Sequence, residues 1–169
     1  MGWAFIRFSL FKFVFGIGLG VMTTETSSGI LGSLVPTTKT QARILLETGY
    51  LWMDMGRFVE AQEVFMGAAL LMPKSEVPQL ALGTLDLVQG RFEKALQTFR
   101  VAQRLAPKSA LPHVHVGEAL LFMGKEVAAL KELQQAKQME PEGDAAKFAD
   151  SLLDCREKGL FSKEKPKVA

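Results

Sequence analysis

Cysteine occurs once in this chain, at Cys155, so no internal disulfide can form and a reducing compartment fits best. Histidine is nearly as scarce. His113 and His115 stand two apart, which on a helix aims them in different directions and excludes a local metal pair. No paired carboxylates, Cys/His cluster or glycine-rich phosphate loop is present, so neither an enzyme nor a bound metal or cofactor is expected. A charge bias is missing too: 20 basic residues against 18 acidic leave a formal +2, the whole excess being Arg7 and Lys12. Nucleic-acid binding wants a basic stripe along one face, and none is there. Only the end is biased, five basic against two acidic residues from Arg156 to Ala169, which reads as a solvated terminus. Long apolar runs are absent as well. The longest, Phe13 to Met22, is too short to cross a bilayer, and Trp3 to Met22 contains Arg7, Ser9 and Lys12.

What is present begins with an N-terminal block unlike the rest. Residues 1–21 hold five of the 12 phenylalanines (Phe5, Phe8, Phe11, Phe13 and Phe15), two basic residues and no acid. Three readings stay open: an over-extended start with translation beginning at Met22, a signal or membrane anchor, and a hydrophobic arm that packs on the domain. A basic start before an apolar stretch is signal-peptide grammar, yet only Gly18-x-Gly20 could replace the usual small-residue cleavage site. The expected location is cytoplasmic, with membrane association through residues 1–21 as the alternative. Residues 22–41 follow as a polar linker and helix lead-in rich in Gly, Ser and Thr.

From there the chain repeats itself every 34 residues without slippage. Gly49, Gly83 and Gly117 keep this period, as do Gly56, Gly90 and Gly124; Ala61, Ala95 and Ala129; Ala68, Ala102 and Ala136; and Pro73, Pro107 and Pro141. A fixed period of this size means one supersecondary unit stacked on copies of itself. Counting slots from Ala42, Glu76 and Ala110 gives modules at 42–75, 76–109 and 110–141. In each, a first helix runs to the glycine in slot 15, which is suited to a left-handed helix end. A second helix then runs to the proline in slot 32, which lacks the amide hydrogen a continuing helix needs. Ser75 and Ser109 read as caps of the next first helix, and Thr38 to Gln41 as a capping box for the first one. Glycine in slot 8 and alanine in slots 20 and 27 let two helix axes come close, with large residues such as Leu45, Trp52, Phe65, Leu82, Phe99 and Leu133 filling between them. An amphipathic stretch at 142–159 (Ala146, Phe148, Ala149, Leu152, Leu153) covers the apolar end of module three, as a solenoid cap must, and 160–169 is a basic tail. The fold class is all-α.

The spacing over Ala42 to Pro141 resembles the tetratricopeptide repeat, with its glycine, alanine, aromatic and proline slots. Slot 4 departs from that pattern (Leu45, Gln79, His113), as does slot 11 (Trp52, Asp86, Leu120), and Asp86 must face water or a polar contact. The resemblance implies a concave surface built mainly from slots 2, 5, 9, 12 and 13 of the first helices. Those positions hold Arg43, Leu46, Tyr50, Met53 and Asp54; Val77, Leu80, Thr84, Leu87 and Val88; and Leu111, Val114, Glu118, Leu121 and Phe122. Adaptors of this family that grip acidic tails place lysine, arginine and asparagine at such slots. That set is absent. A mainly apolar groove suits an apolar guest, such as one face of an amphipathic helix. A partner, the chain itself or self-association must cover it, since monomers seldom leave much apolar surface open. A short three-repeat chain with such a groove and a capping helix is similar to the small cytosolic chaperones of bacterial type III secretion, chlamydial members included. Two subfamilies fit, one escorting needle subunits with a second small helical partner, the other escorting pore-forming translocators. The short length counted from Met22 favours the needle type. The resemblance implies a chaperone that sequesters the helix by which needle subunits polymerise; the alternative is a general scaffold or adaptor for an envelope complex, with or without a membrane anchor.

Overall fold

The computed structural model describes residues 39–161. Among them are seven α-helices and no strand: α1 (Lys39–Asp54), α2 (Phe58–Leu71), α3 (Val77–Val88), α4 (Phe92–Leu105), α5 (Leu111–Phe122), α6 (Glu126–Met139) and α7 (Asp144–Glu157). The N-terminal block, the linker and lead-in up to Thr38, and most of the basic tail lie outside the described residues, while Lys39 to Gln41 of the lead-in belong to α1. No helix among the described residues is long and apolar enough to cross a membrane.

The punctuation read from the sequence accounts for the helix ends. Gly56, Gly90 and Gly124 take φ values of 76°, 74° and 72° between the two helices of their modules, a conformation in which a Cβ clashes. Each second helix stops two residues before its proline, at Leu71, Leu105 and Met139. Pro78 and Pro112 sit in the first turn of α3 and α5, where the missing donor costs nothing. Two boundaries differ from expectation. α1 is already helical at Lys39, three residues ahead of the slot count. The Ser75 hydroxyl accepts from the Val77 amide at 3.3 Å, while Glu76 between them is already in the right-handed helical region, so this cap acts on the second amide of the turn.

Packing follows the small slots. A Cβ built on Gly49 would lie 2.3 Å from the Phe65 ring, one on Gly83 2.3 Å from Phe99, and one on Gly117 2.7 Å from Leu133. Each glycine of a first helix therefore receives the large residue of its partner helix. Phe65, Phe99 and Leu133 are completely buried, as are the alanines of slots 20 and 27 in all three modules. α1, α3, α5 and α7 also approach one another in sequence, whereas successive second helices make no comparable approach. The side carrying the first helices is thus the tight, concave side of the stack.

Asp86 departs from its slot-mates Trp52 and Leu120, and the structure answers with a polar contact instead of water. Its carboxylate is buried (3% exposed) and accepts from Arg91 Nε at 2.9 Å and from Lys94 Nζ at 3.2 Å. Module two nevertheless packs as its neighbours do, with Phe99 against Gly83. Both cations keep much of their side chains in water, so losing the pair costs them little. Asp86→Leu, which restores the apolar residue of module three, is expected to leave stability unchanged or raise it by about 1 kcal/mol, since replacing a buried ion pair by a well-packed apolar residue is often stabilising. Asp86→Asn is expected to lower it. A urea melt of the two variants checks the ordering.

Candidate functional site

The concave face is built by four helices, and its residues come from the slots counted above. Leu46, Met53, Leu80, Thr84, Leu87, Val114, Glu118 and Leu121 are buried there, while Tyr50, Val77, Val88, Leu111 and Phe122 are half-buried. Leu46, Tyr50, Met53, Val77 and Val88 belong to one apolar cluster with Phe65; Leu80, Leu87, Leu111, Val114, Leu121 and Phe122 belong to another with Phe99 and Leu133. The buried members therefore serve the core, and the half-buried ones are what the face presents. Arg43 and Asp54, at the rim, are exposed, and Arg43 Nε lies 3.4 Å from Glu47 on its own helix.

The face continues onto α7, which the slot count did not follow. Asp144 stands one period after Ala110, so α7 occupies the place of a fourth first helix. Its slots 2, 5, 9, 12 and 13 hold Ala145, Phe148, Leu152, Cys155 and Arg156. The signal was in the sequence: carrying the period one step past Pro141 finds it. The left-handed glycine then falls one residue late, at Gly159, because α7 is longer than α3 and α5. Beyond it Phe161 turns back onto Phe122 (ring centroids 4.9 Å apart), and Phe122 stacks on Phe92 at 5.1 Å, closing this end of the face with three rings.

Polar groups on the face are few. Thr84 is satisfied within its helix, its hydroxyl donating to the Leu80 carbonyl at 2.9 Å. Glu118 is fully buried; one carboxyl oxygen lies 3.0 Å from His115 Nδ1 and the other has no partner. His115 is itself held between Phe99, stacked at 5.0 Å, and Phe148, edge-on at 5.3 Å. The two histidines do diverge: His113 lies on the other side of α5, where Gln103 of α4 and Glu132 of α6 meet it, and Arg100 of α4 pairs with the same Glu132 at 2.7 Å. Burial by itself would raise the Glu132 carboxyl, but hydrogen bonds from His113, Arg100 and Gln103 outweigh it and hold the group low. This clamp across three helices was not read from the sequence, because its members are brought together only by packing. Among the described residues no cluster could hold a metal ion. Burial and the neighbouring Asp154 push the half-buried Cys155 thiol up, away from the reactive thiolate.

Tyr50 is the only tyrosine of the chain and lies edge-on to Phe65 at 5.1 Å. Burial pushes its phenol well above the ordinary range. The folded protein therefore holds this proton more tightly than the unfolded chain, which ionises near pH 10, and the stability it contributes is lost as the pH rises beyond that value. In an alkaline titration, tyrosinate absorbance is expected to lag behind a free phenol and to rise together with the loss of helical circular dichroism.

No protein-family model and no curated protein matches the sequence. Solved structures do match, and they show the fold to be of the tetratricopeptide type. The type III secretion translocator chaperone SycD of Yersinia enterocolitica is 18% identical, with a TM-score of 0.66 over 76% of this chain and 99% of that one. SycD in complex with a peptide of the translocator YopD gives 17% and 0.60 over 76% and 98%. PcrH in complex with the chaperone binding region of PopB gives 19% and 0.58 over 69% and 97%. The first tetratricopeptide domain of Spaghetti, bound to the HSP90 peptide SRMEEVD, gives 17% and 0.57 over 72% and 97%.

Proposed function

We propose that this protein is a chaperone of bacterial type III secretion that holds an apolar helical or extended segment of a secreted subunit against its concave face. The observation that carries the reading is the row of half-buried apolar side chains Tyr50, Val77, Val88, Leu111 and Phe122 on α1, α3 and α5, with Arg43 at its rim already paired to Glu47. Such a row offers an acidic tail nothing to bind. It offers apolar anchors many weak contacts, which suits a cargo that must later be released. Similarity to nearly the whole of the solved SycD and PcrH chains, the first in complex with a peptide of the translocator YopD and the second with the chaperone binding region of PopB, supports this class of guest. It also favours a translocator over a needle subunit. The needle-subunit reading retains one point in its favour, the short length counted from Met22.

The experiment is coexpression of the full chain with candidate translocators and, separately, needle subunits, followed by co-purification. Val88→Glu places a charge on a half-buried face position and is expected to abolish capture while helical circular dichroism is retained. A peptide ending in an acidic tail is expected not to bind. Capture of needle subunits alone would exchange the guest. Failure to retain either kind, or binding of the acidic tail, would sink the proposal.

A further inference from the structure

Two residues after each left-handed glycine stand Phe58, Phe92, Glu126 and Phe161. The first three open the second helices and meet slot 13 of the next first helix. Phe58 and Val88 join one cluster, Phe92 stacks on Phe122, and Glu126 pairs with Arg156 at 2.7 Å. Phe161 goes the other way. Gly159 closes α7 with a two-bond turn: its amide donates to the Arg156 carbonyl at 2.9 Å and the Leu160 amide to the Cys155 carbonyl at 3.1 Å. The chain reverses there, and the Phe161 ring meets Phe122 at an interplanar angle of 79°. Phe122, a half-buried residue of the concave face, thus carries one stacked ring and one edge-on ring. The two are held differently. Phe92 begins α4, whose body is fixed by the buried Ala95 and Phe99. Phe161 is half-buried, follows the exposed residues Glu157 to Leu160, and depends on the bonds of a single turn.

We propose that Phe92 and Phe122 form a subsite for an aromatic side chain of the guest, and that Phe161 fills it in the free protein and is displaced on binding. This rests on the reading of the concave face as the place where a guest is held. The ring already seated there shows what the subsite accepts: an aromatic group edge-on to Phe122, a geometry that stabilises aromatic pairs beyond their buried area. Displacement undoes one turn and one ring contact and leaves the helices intact. A guest therefore competes with the chain's own ring, and its apparent affinity is lowered by the fraction of molecules in which the subsite is free. A guest with no aromatic residue at this point leaves Phe161 in place.

The decisive test uses no guest protein. N-acetyl-phenylalaninamide serves as the isolated anchor, added to the full chain carrying 13C-labelled phenylalanine and followed through the Phe92 and Phe122 ring signals. Phe161→Ala is expected to bind it on the order of tenfold more tightly than the parent, because the competing ring is gone. Gly159→Val keeps all three rings but strains the left-handed turn, and is expected to tighten binding in the same direction. Adding Phe122→Ala to Phe161→Ala is expected to abolish binding, with helical circular dichroism retained in every variant. Equal binding by the parent and Phe161→Ala, or shifts confined to other phenylalanines, would overturn the subsite. In coexpression, Phe161→Ala is expected to hold a captured translocator severalfold more tightly. Capture that this variant leaves unchanged counts against the subsite alone; loss of all capture with the fragment result intact counts against the chaperone reading alone.

Discussion

Phe99→Ala is expected to destabilise the protein by about 3–5 kcal/mol, the cost of truncating a fully buried aromatic ring in a site that cannot collapse. Phe99 fills the space over Gly83 and stacks on His115, which in turn meets the buried Glu118. Its loss therefore opens a cavity between α3 and α4 and removes one side of the support for the polar pair in α5. Because each repeat touches only its neighbours, the damage is centred on module two, and the stack loses the continuity between its ends. Equilibrium urea unfolding followed by helical signal is expected to show a lower midpoint and a broader transition than the parent. An unchanged midpoint would mean that the ring is not the centre of the module.

Alanine in place of glycine is expected to have opposite signs at two positions. At Gly83 the new Cβ would lie 2.3 Å from the Phe99 ring, well inside contact distance, and the ring is enclosed on all sides. Overpacking of about 1–3 kcal/mol then exceeds the gain of about 1 kcal/mol in helix propensity, so the net effect is destabilising. At Gly67, inside α2, nothing lies within 4 Å of the new Cβ. Only the propensity gain remains, and Gly67→Ala is expected to stabilise by about 0.5–1 kcal/mol. Adding Phe99→Leu to Gly83→Ala is expected to recover part of the loss, giving a favourable coupling in the double-mutant cycle. Thermal melts of the single and double variants measure it, and equal shifts for Gly67→Ala and Gly83→Ala would refute the close approach of α3 and α4.

Much of this could be read without coordinates, and the reasons are local. A left-handed glycine, a proline without an amide hydrogen and a small residue where two helices cross each leave a mark at one position, and the period multiplies the mark by three. Gly56, Gly90 and Gly124, with the prolines after α2, α4 and α6, thus placed six helices. The place of α7 in the repeat needed one more count, from Ala110 to Asp144. The concave residues were harder. Leu46, Val114 and Leu121 look like groove residues by slot, yet they are buried within the same clusters as Phe65 and Phe99. A periodic pattern says which way a side chain points along its own helix; it does not say what lies opposite.

The sequence by itself determined the period, the all-α class, the glycine and proline positions that end the helices and the lack of cations for an acidic tail, because each depends on backbone preference or on composition. Only the tertiary structure decided the rest. It buried Asp86 under Arg91 and Lys94, joined His113 to Glu132, set Glu118 against His115, folded Phe161 back onto Phe122 and left Ile44 and Leu51 bare. Each of these depends on which surface of a neighbouring helix faces a side chain, and that is fixed by packing across residues far apart in the chain.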